Sequence, residues 1–204
     1  MKIFTARILY PIKVLGPGDR VGVWLAGCGH HCPGCSNPEL WEQKDEWKID
    51  VDDLAKIISD IAIARNADGI TITGGEPFEQ PKALNELLDK IYDLTGDILI
   101  YTGYRYEEIS EKYSHILNKI SVLIDGSYVR EQNYGKRLKG SENQNIIYLN
   151  HSIKEKYESY LVGDHPDIQN FSIGNSVISV GIHLPDFDEQ LRDIAQKKGL
   201  IENE

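Results

Sequence analysis

Gly69-Ile-Thr-Ile-Thr73-Gly74-Gly75-Glu76-Pro77 is a β-branched run that stops on two glycines, and a helical pattern begins just beyond it at Pro81. A strand, a tight turn and a helix in that order form half of a βαβ unit. The helical stretch sets Leu84, Leu87, Leu88 and Ile91 on one face. Downstream, Asp97-Ile-Leu-Ile-Tyr101 predicts the next strand. Tyr106, Ile109, Tyr113, Ile116 and Leu117 predict a third helix, and Ser121-Val-Leu-Ile-Asp125 a further strand. Upstream, residues 2–9 and 20–26 read as strands. Asp50 reads as the N-cap of a helix over 51–65, carried by Val51, Leu54, Ile57, Ile58 and Ile61. Strands alternating with helices imply a parallel sheet with right-handed crossovers. The expected fold class is therefore α/β, an incomplete β/α barrel with its chemistry on the rim at the strand C-terminal ends.

The pattern changes after this alternating region. Residues 126–145 lack periodicity and are rich in Gly, Asn, Lys and Arg, so a long loop is expected. Phe171-Ser-Ile and Val177-Ile-Ser-Val180 flank Gly174-Asn175, which predicts a β-hairpin. Asp186 starts an expected last helix to about Lys197, followed by a polar tail. The organisation expected is a core over 1–150, with a C-terminal hairpin-and-helix extension over 151–204 packed on it.

The 204 residues are enough for a substantial interior, and 41% hydrophobic with 26% charged residues is ordinary for a globular protein. Lys and Arg number 22 against 32 Asp and Glu, a net charge of −10. That balance argues against a nucleic-acid partner, which needs clustered cations. No apolar run approaches a membrane span and the first residues lack a signal-peptide core, so a cytoplasmic protein is expected.

Cys28-Gly-His-His-Cys32-Pro-Gly-Cys35 contains every cysteine of the chain and follows the predicted strand over 20–26. Three cysteines within one loop make a poor disulfide framework and a good metal site. A [4Fe–4S] cube is normally closed by four cysteines, so three imply that another group completes the site. A structural zinc site would need a fourth ligand, and His30 and His31 both lie inside the Cys28–Cys32 interval. A redox pair of Cys32 and Cys35 leaves Cys28 unexplained, and chance clustering of buried cysteines is the remaining alternative. Cys28–Cys35, Gly74–Pro77 and Tyr101–Tyr104 all follow predicted strands, so they converge on one rim. The glycines there allow close backbone approach to a ligand.

The cysteine spacing followed by Thr73-Gly-Gly-Glu-Pro77 resembles the radical S-adenosylmethionine superfamily. This resemblance implies a radical-SAM-type partial barrel and a [4Fe–4S] cluster on Cys28, Cys32 and Cys35. It further implies S-adenosylmethionine on the open iron, with Thr73, Gly74, Gly75, Glu76 and Pro77 near the methionine amino group. Gly16-Pro-Gly-Asp-Arg20, Cys35-Ser-Asn-Pro-Glu39 with Trp41, and Tyr101-Thr-Gly-Tyr104 are similar to segments of glycyl-radical-enzyme activases. Asp125-Gly126 and Lys139-Gly-Ser-Glu-Asn-Gln144 resemble the anaerobic ribonucleotide reductase activating family in particular. On this resemblance Asn37, Tyr101, Asp125 and Asn143 join residues 73–77 as cofactor-binding candidates, and no catalytic side chain is expected beyond the cluster and cofactor. The chain departs from the pattern at Gly34, where many superfamily members carry an aromatic residue, and at Leu15, where Asp often precedes Gly-Pro-Gly. Lys139 stands where Arg is usual, and the two cations are not interchangeable at bidentate sites.

The resemblance implies an enzyme that cleaves S-adenosylmethionine reductively and generates a glycyl radical on a partner, anaerobic ribonucleotide reductase being the leading target. Flavodoxin or ferredoxin would supply the electron. A small-molecule enzyme similar to 7-carboxy-7-deazaguanine synthase is the second reading, although that family shows a Glu-Thr-Asn-Gly-like strand end where this chain has Tyr101-Thr-Gly-Tyr104. A non-catalytic iron–sulfur or zinc module is the third, and it leaves Gly74–Pro77 without a purpose. Backbone N–H groups around Gly27, Gly29 and Gly34 are expected to tune the cluster. Trp24 and Trp41 are expected to shield it, and Arg130 to Lys139 to supply cations for docking an acidic donor.

Overall fold

The structure, a computed structural model, describes residues 1–174 and 176–197. The expected hairpin residue Asn175 and the polar tail over 198–204 lie outside the described residues. Strand β1 (Lys2–Ile12) runs antiparallel to β2 (Arg20–Leu25), and the short β3 (Lys48–Asp50) pairs along its other side. Helix α1 (Val51–Arg65) returns the chain to β4 (Gly69–Gly74), and α2 (Pro81–Ile91) returns it to β5 (Ile98–Tyr101). Two short helices, α3 (Tyr106–Ile109) and α4 (Ser114–Leu117), precede β6 (Val122–Asp125), and β7 (Asn145–Tyr148) closes the sheet. The strand order is β3-β1-β2-β4-β5-β6-β7. The fold is thus mixed α/β. Its central strands β2, β4, β5 and β6 are parallel, and antiparallel strands lie on either side of them.

The apolar faces read from the sequence are buried as helical and strand periodicity requires. Leu54 and Ile58 of α1 and Leu84, Leu87, Leu88 and Ile91 of α2 pack on Val21, Ile70, Ile72, Ile98 and Ile100 of the sheet. Pro81 occupies the first turn of α2, where a missing N–H costs nothing. Asp50 stands at the N-cap position of α1, but its carboxylate accepts from Lys2 Nζ at 2.5 Å and makes no side-chain cap bond. The single third helix expected over 106–117 is instead two short ones. Ile109, Ile116 and Leu117 are all buried, and two separate turns satisfy their spacing as well as one helix would.

The other face of the sheet is covered by the C-terminal residues. Helix α5 (Lys154–Val162) brings Tyr157 against Leu99, Val122 and Ile124. The antiparallel pair β8 (Ile168–Ile173) and β9 (Ser176–Gly181) places Val180 in a cluster with Leu9, Val14, Leu15 and Trp24. Gln169 of β8 fastens the hairpin to the chain after β1, donating to Pro11 O at 2.8 Å and accepting from Lys13 N at 3.0 Å. Helix α6 (Phe187–Lys197) follows. No helix among the described residues is long and apolar enough to cross a membrane.

The Gly16-Pro-Gly-Asp-Arg20 stretch lies at the strand N-terminal ends, away from the cysteine rim. Arg20 is fully buried and donates to Thr71 Oγ1 at 2.7 Å, Ile70 O at 2.8 Å and Asp97 Oδ2 at 2.9 Å. Asp97 also accepts from Tyr157 Oη and Lys156 Nζ, both at 2.8 Å. Burial alone would raise the Asp97 carboxyl, but attraction and hydrogen bonds from Arg20 and Lys156 outweigh it and hold the group below the usual carboxylate range. Gly69 leaves room for this knot, because a Cβ there would lie 2.2 Å from Arg20 Nη1.

Candidate functional site

Strand β2 delivers the chain to the cysteine loop, and two backbone bonds fix its base. Gly27 N donates to Leu40 O at 2.8 Å and Cys28 N to Trp41 O at 2.9 Å. Positive φ at Gly27, His31 and Gly34 turns the loop back on itself, so the sequence between the cysteines supplies bends and not a helix. All three thiols are half-buried and line one cavity of about 200 Å³. Many waters would fit in that space, so it has room for a ligand of some size.

Cys28 faces the backbone N–H groups of His30 and His31, while Cys35 accepts from Asn37 N at 3.4 Å and faces the Trp41 indole. Burial pushes the Cys28 thiol up to about 11 despite those two N–H groups, and burial raises Cys35 as well. Both are therefore protonated at neutral pH until a cation displaces the proton, and the N–H groups then stabilise the thiolates. This donor set fits an iron–sulfur cluster. Among the described residues no three His, Cys, Asp or Glu side chains converge on one metal-ion position as the ligands of a structural zinc do. The N–H groups turned toward sulfur differ from those expected. Gly27 N is taken by Leu40 O and Gly29 N by Glu79 Oε1, the latter at 2.6 Å, whereas His30, His31 and Asn37 face the thiols.

The glycines after β4 serve a contact that the sequence did not disclose. Gly75 N donates to Leu25 O and Glu76 N to Gly27 O, both at 2.7 Å. A Cβ on Gly74 would stand 2.4 Å from Leu25 O, and one on Gly75 2.4 Å from Gly27 O. Their first role is thus to let the end of β4 lie against the cysteine loop. Glu76 is 1% exposed. Its Oε1 accepts from Phe78 N at 2.9 Å and Thr102 Oγ1 at 2.8 Å, and its Oε2 accepts from Gly103 N at 2.7 Å. His30 Nε2 lies 3.3 Å from Oε2, and that contact raises the imidazole above its ordinary value. Through these contacts the carboxylate braces β4, the turn after β5 and the cysteine loop.

Thr73, Gly74, Gly75, Glu76, Tyr101 and Asn37 line the same cavity as the three cysteines. Pro77 is buried behind it, opening a single helical turn. Asp125 and Asn143 are not brought to the cavity wall. Asp125 accepts from Tyr106 N at 2.9 Å and Asn145 Nδ2 at 2.9 Å, pinning the end of β6. Asn143 donates to Ser127 O at 2.8 Å. Gln144, next to it, does line the cavity, with its side-chain nitrogen on Gly126 O at 2.7 Å. Sequence reasoning missed Gln144, although it ended a quoted motif. It also missed Arg7 and Tyr128, and the whole segment Ser179–His183, for which no local signal existed; His30, weighed only as a zinc ligand, lines the cavity as well. Trp24 is both cavity wall and core, while Trp41 stacks on His31 with centroids 4.7 Å apart. The cations expected for docking are engaged within the chain. Arg130 donates to Pro185 O at 3.1 Å, Arg137 pairs with Asp167 at 2.7 Å, and Lys136 and Lys139 face Glu142 at 2.7 and 3.6 Å.

A family model described as a 4Fe-4S single cluster domain matches residues 14–147, a stretch containing all three cysteines and Gly74–Pro77. A Salmonella typhi protein named anaerobic ribonucleoside-triphosphate reductase-activating protein is 31% identical over 148 residues, which cover 69% of this chain and 96% of that one. The chain belongs to this family. Other reductase-activating proteins are similar to a comparable extent. The Escherichia coli K12 protein is 29% identical over 150 residues, covering 69% of this chain and 96% of its own. The bacteriophage T4 protein is 31% identical over 144 residues, covering 68% and 90%. Hairpin β8–β9 lies beyond the residues that the family model matches.

Proposed function

We propose that this chain is the activating enzyme of an anaerobic ribonucleotide reductase. The observation that carries the reading is the shared cavity wall of Cys28, Cys32, Cys35 and Gly74–Glu76 at the ends of β2 and β4, in a chain related to proteins of that name. The sheet, open and parallel at its centre, is read as the partial barrel of radical S-adenosylmethionine enzymes, and the chain as cytoplasmic. A [4Fe–4S] cluster on the three cysteines, with S-adenosylmethionine, would supply the radical chemistry that converts a glycine of the reductase to a glycyl radical. The protein's own contribution is placement and shielding. Cys28, Cys32 and Cys35 would hold the cluster as its thiolate ligands. The end of β4 presents backbone acceptors to the ligand's ammonium group, and Glu76 fixes the distance between that segment and the cysteine loop. Trp24 and Trp41 limit solvent at the sulfurs. A flavodoxin or ferredoxin provides the electron.

The test is anaerobic reconstitution, addition of dithionite and S-adenosylmethionine, and measurement of 5′-deoxyadenosine. Product, followed by a glycyl-radical signal when the reductase is added, is the expected result. Product without that signal would favour a small-molecule enzyme, and no product with no spectral response to the ligand would leave a non-catalytic module.

A further inference from the structure

The cavity beside the cysteines has an apolar part. Leu15, before β2, and Trp24, within it, line this part together with Tyr101 at the end of β5. Its remaining wall is β9 and the residues after it, from Ser179 to His183. Val180 is 4% exposed and belongs to the same apolar cluster as Leu15 and Trp24, so the hairpin is seated here by packing and not merely laid across. The Tyr101 hydroxyl is buried and has no hydrogen-bond partner among the described residues. Leaving a buried hydroxyl unpaired costs free energy, and such a group in a cavity wall calls for a ligand.

We infer that the C-terminal hairpin, with Tyr101, forms the subsite for the adenine nucleoside portion of the cofactor. This rests on the reading of the cysteine rim as an S-adenosylmethionine site. The chemistry matches on both counts. A purine ring has broad apolar faces that suit Trp24, Leu15 and Val180, and polar edges or ribose hydroxyls that can bond the Tyr101 hydroxyl. The part of the chain matched by the family model, residues 14–147, supplies Leu15, Trp24 and Tyr101 of this wall. Ser179–His183, at the end of the hairpin and just after it, supply the rest, so in this chain recognition of the nucleoside draws on residues outside the family region.

The cluster-loaded protein is titrated calorimetrically with S-adenosylmethionine, and separately with 5′-deoxyadenosine and methionine. Tyr101→Phe removes only the hydroxyl, and a lost hydrogen bond corresponds to about tenfold weaker binding. The expected result is that loss for S-adenosylmethionine and 5′-deoxyadenosine, with methionine binding and iron content unchanged. If the hydroxyl is merely an unpaired core group, Tyr101→Phe raises the unfolding temperature and leaves all three affinities intact, which overturns its assignment. Val180→Phe narrows the slot and is expected to weaken both nucleoside ligands at least tenfold. Ile182→Trp, at a half-buried cavity-lining position, gives the same readout should Val180→Phe fail to fold. Wild-type affinity for 5′-deoxyadenosine in Ile182→Trp overturns the hairpin's role. Absence of any S-adenosylmethionine binding by the wild-type protein would instead refute the cofactor reading itself.

Discussion

Glu76 accepts from Phe78, Thr102 and Gly103 at once, so removing it strands buried donors on two strand ends. Glu76→Ala is expected to lower the unfolding free energy by about 3 kcal/mol, the scale of hydrogen bonds to a buried charge. Urea titration checks this. A variant that unfolds like the wild type and only binds S-adenosylmethionine poorly would return Glu76 to a ligand role. Cys32→Ala should behave oppositely, keeping the thermal midpoint while losing iron and all cleavage. Wild-type turnover in that variant would refute the ligand assignment. The cysteines were legible in sequence because ligands of one metal group sit close together along the chain, and their residue type has few other uses at that spacing. The bracing role of Glu76 was not, since its partners are contributed by residues 102 and 103 of another strand.

Among the elements, β4 shows how tightly the rim is fitted. Alanine at position 75 would bring its Cβ to 2.4 Å from the carbonyl of Gly27, and backbone cannot yield as a side chain tip can. Gly75→Ala is therefore expected to destabilise the fold by about 1–3 kcal/mol, the usual range for overpacking, and to lower iron incorporation by shifting the cysteine loop. Chemical denaturation and iron analysis measure the two effects, and normal values of both would show that the β2–β4 contact is slack. The βαβ alternation could be read from apolar spacing because α1 and α2 each bury one stripe on a long parallel sheet. The split of α3 from α4, and the short strands β3 and β7, could not. Three or four residues show no period, and tertiary pairing alone decides their state.

For the whole molecule, the knot around Arg20 sets the response to acid. The folded Asp97 carboxyl titrates below its unfolded value of about 3.9. Its contribution is thus fully present above that pH and is lost as pH falls through the folded value. Asp97→Asn leaves Arg20 buried beside a neutral partner and should cost about 3–5 kcal/mol at pH 7. The cost should shrink at pH 3, where the wild type has begun to lose the same interaction. Equal cost at both pH values would show that the carboxylate charge is not what matters. The C-terminal extension was legible as a hairpin and a helix, but its position was not. Where it packs depends on Tyr157, Gln169 and Val180 finding partners more than fifty residues upstream, which no local pattern encodes.

The Arg20 knot and the cysteine rim stand at opposite ends of the same strands. Removing the metal group from the rim is expected to leave the knot, the helix-covered face and the hairpin seat intact. In small zinc domains, binding the ion is itself folding. Here loss of the metal group would amount to loss of a replaceable part, and the emptied protein is expected to keep its circular dichroism and thermal midpoint and to regain activity on reloading without passing through an unfolded state.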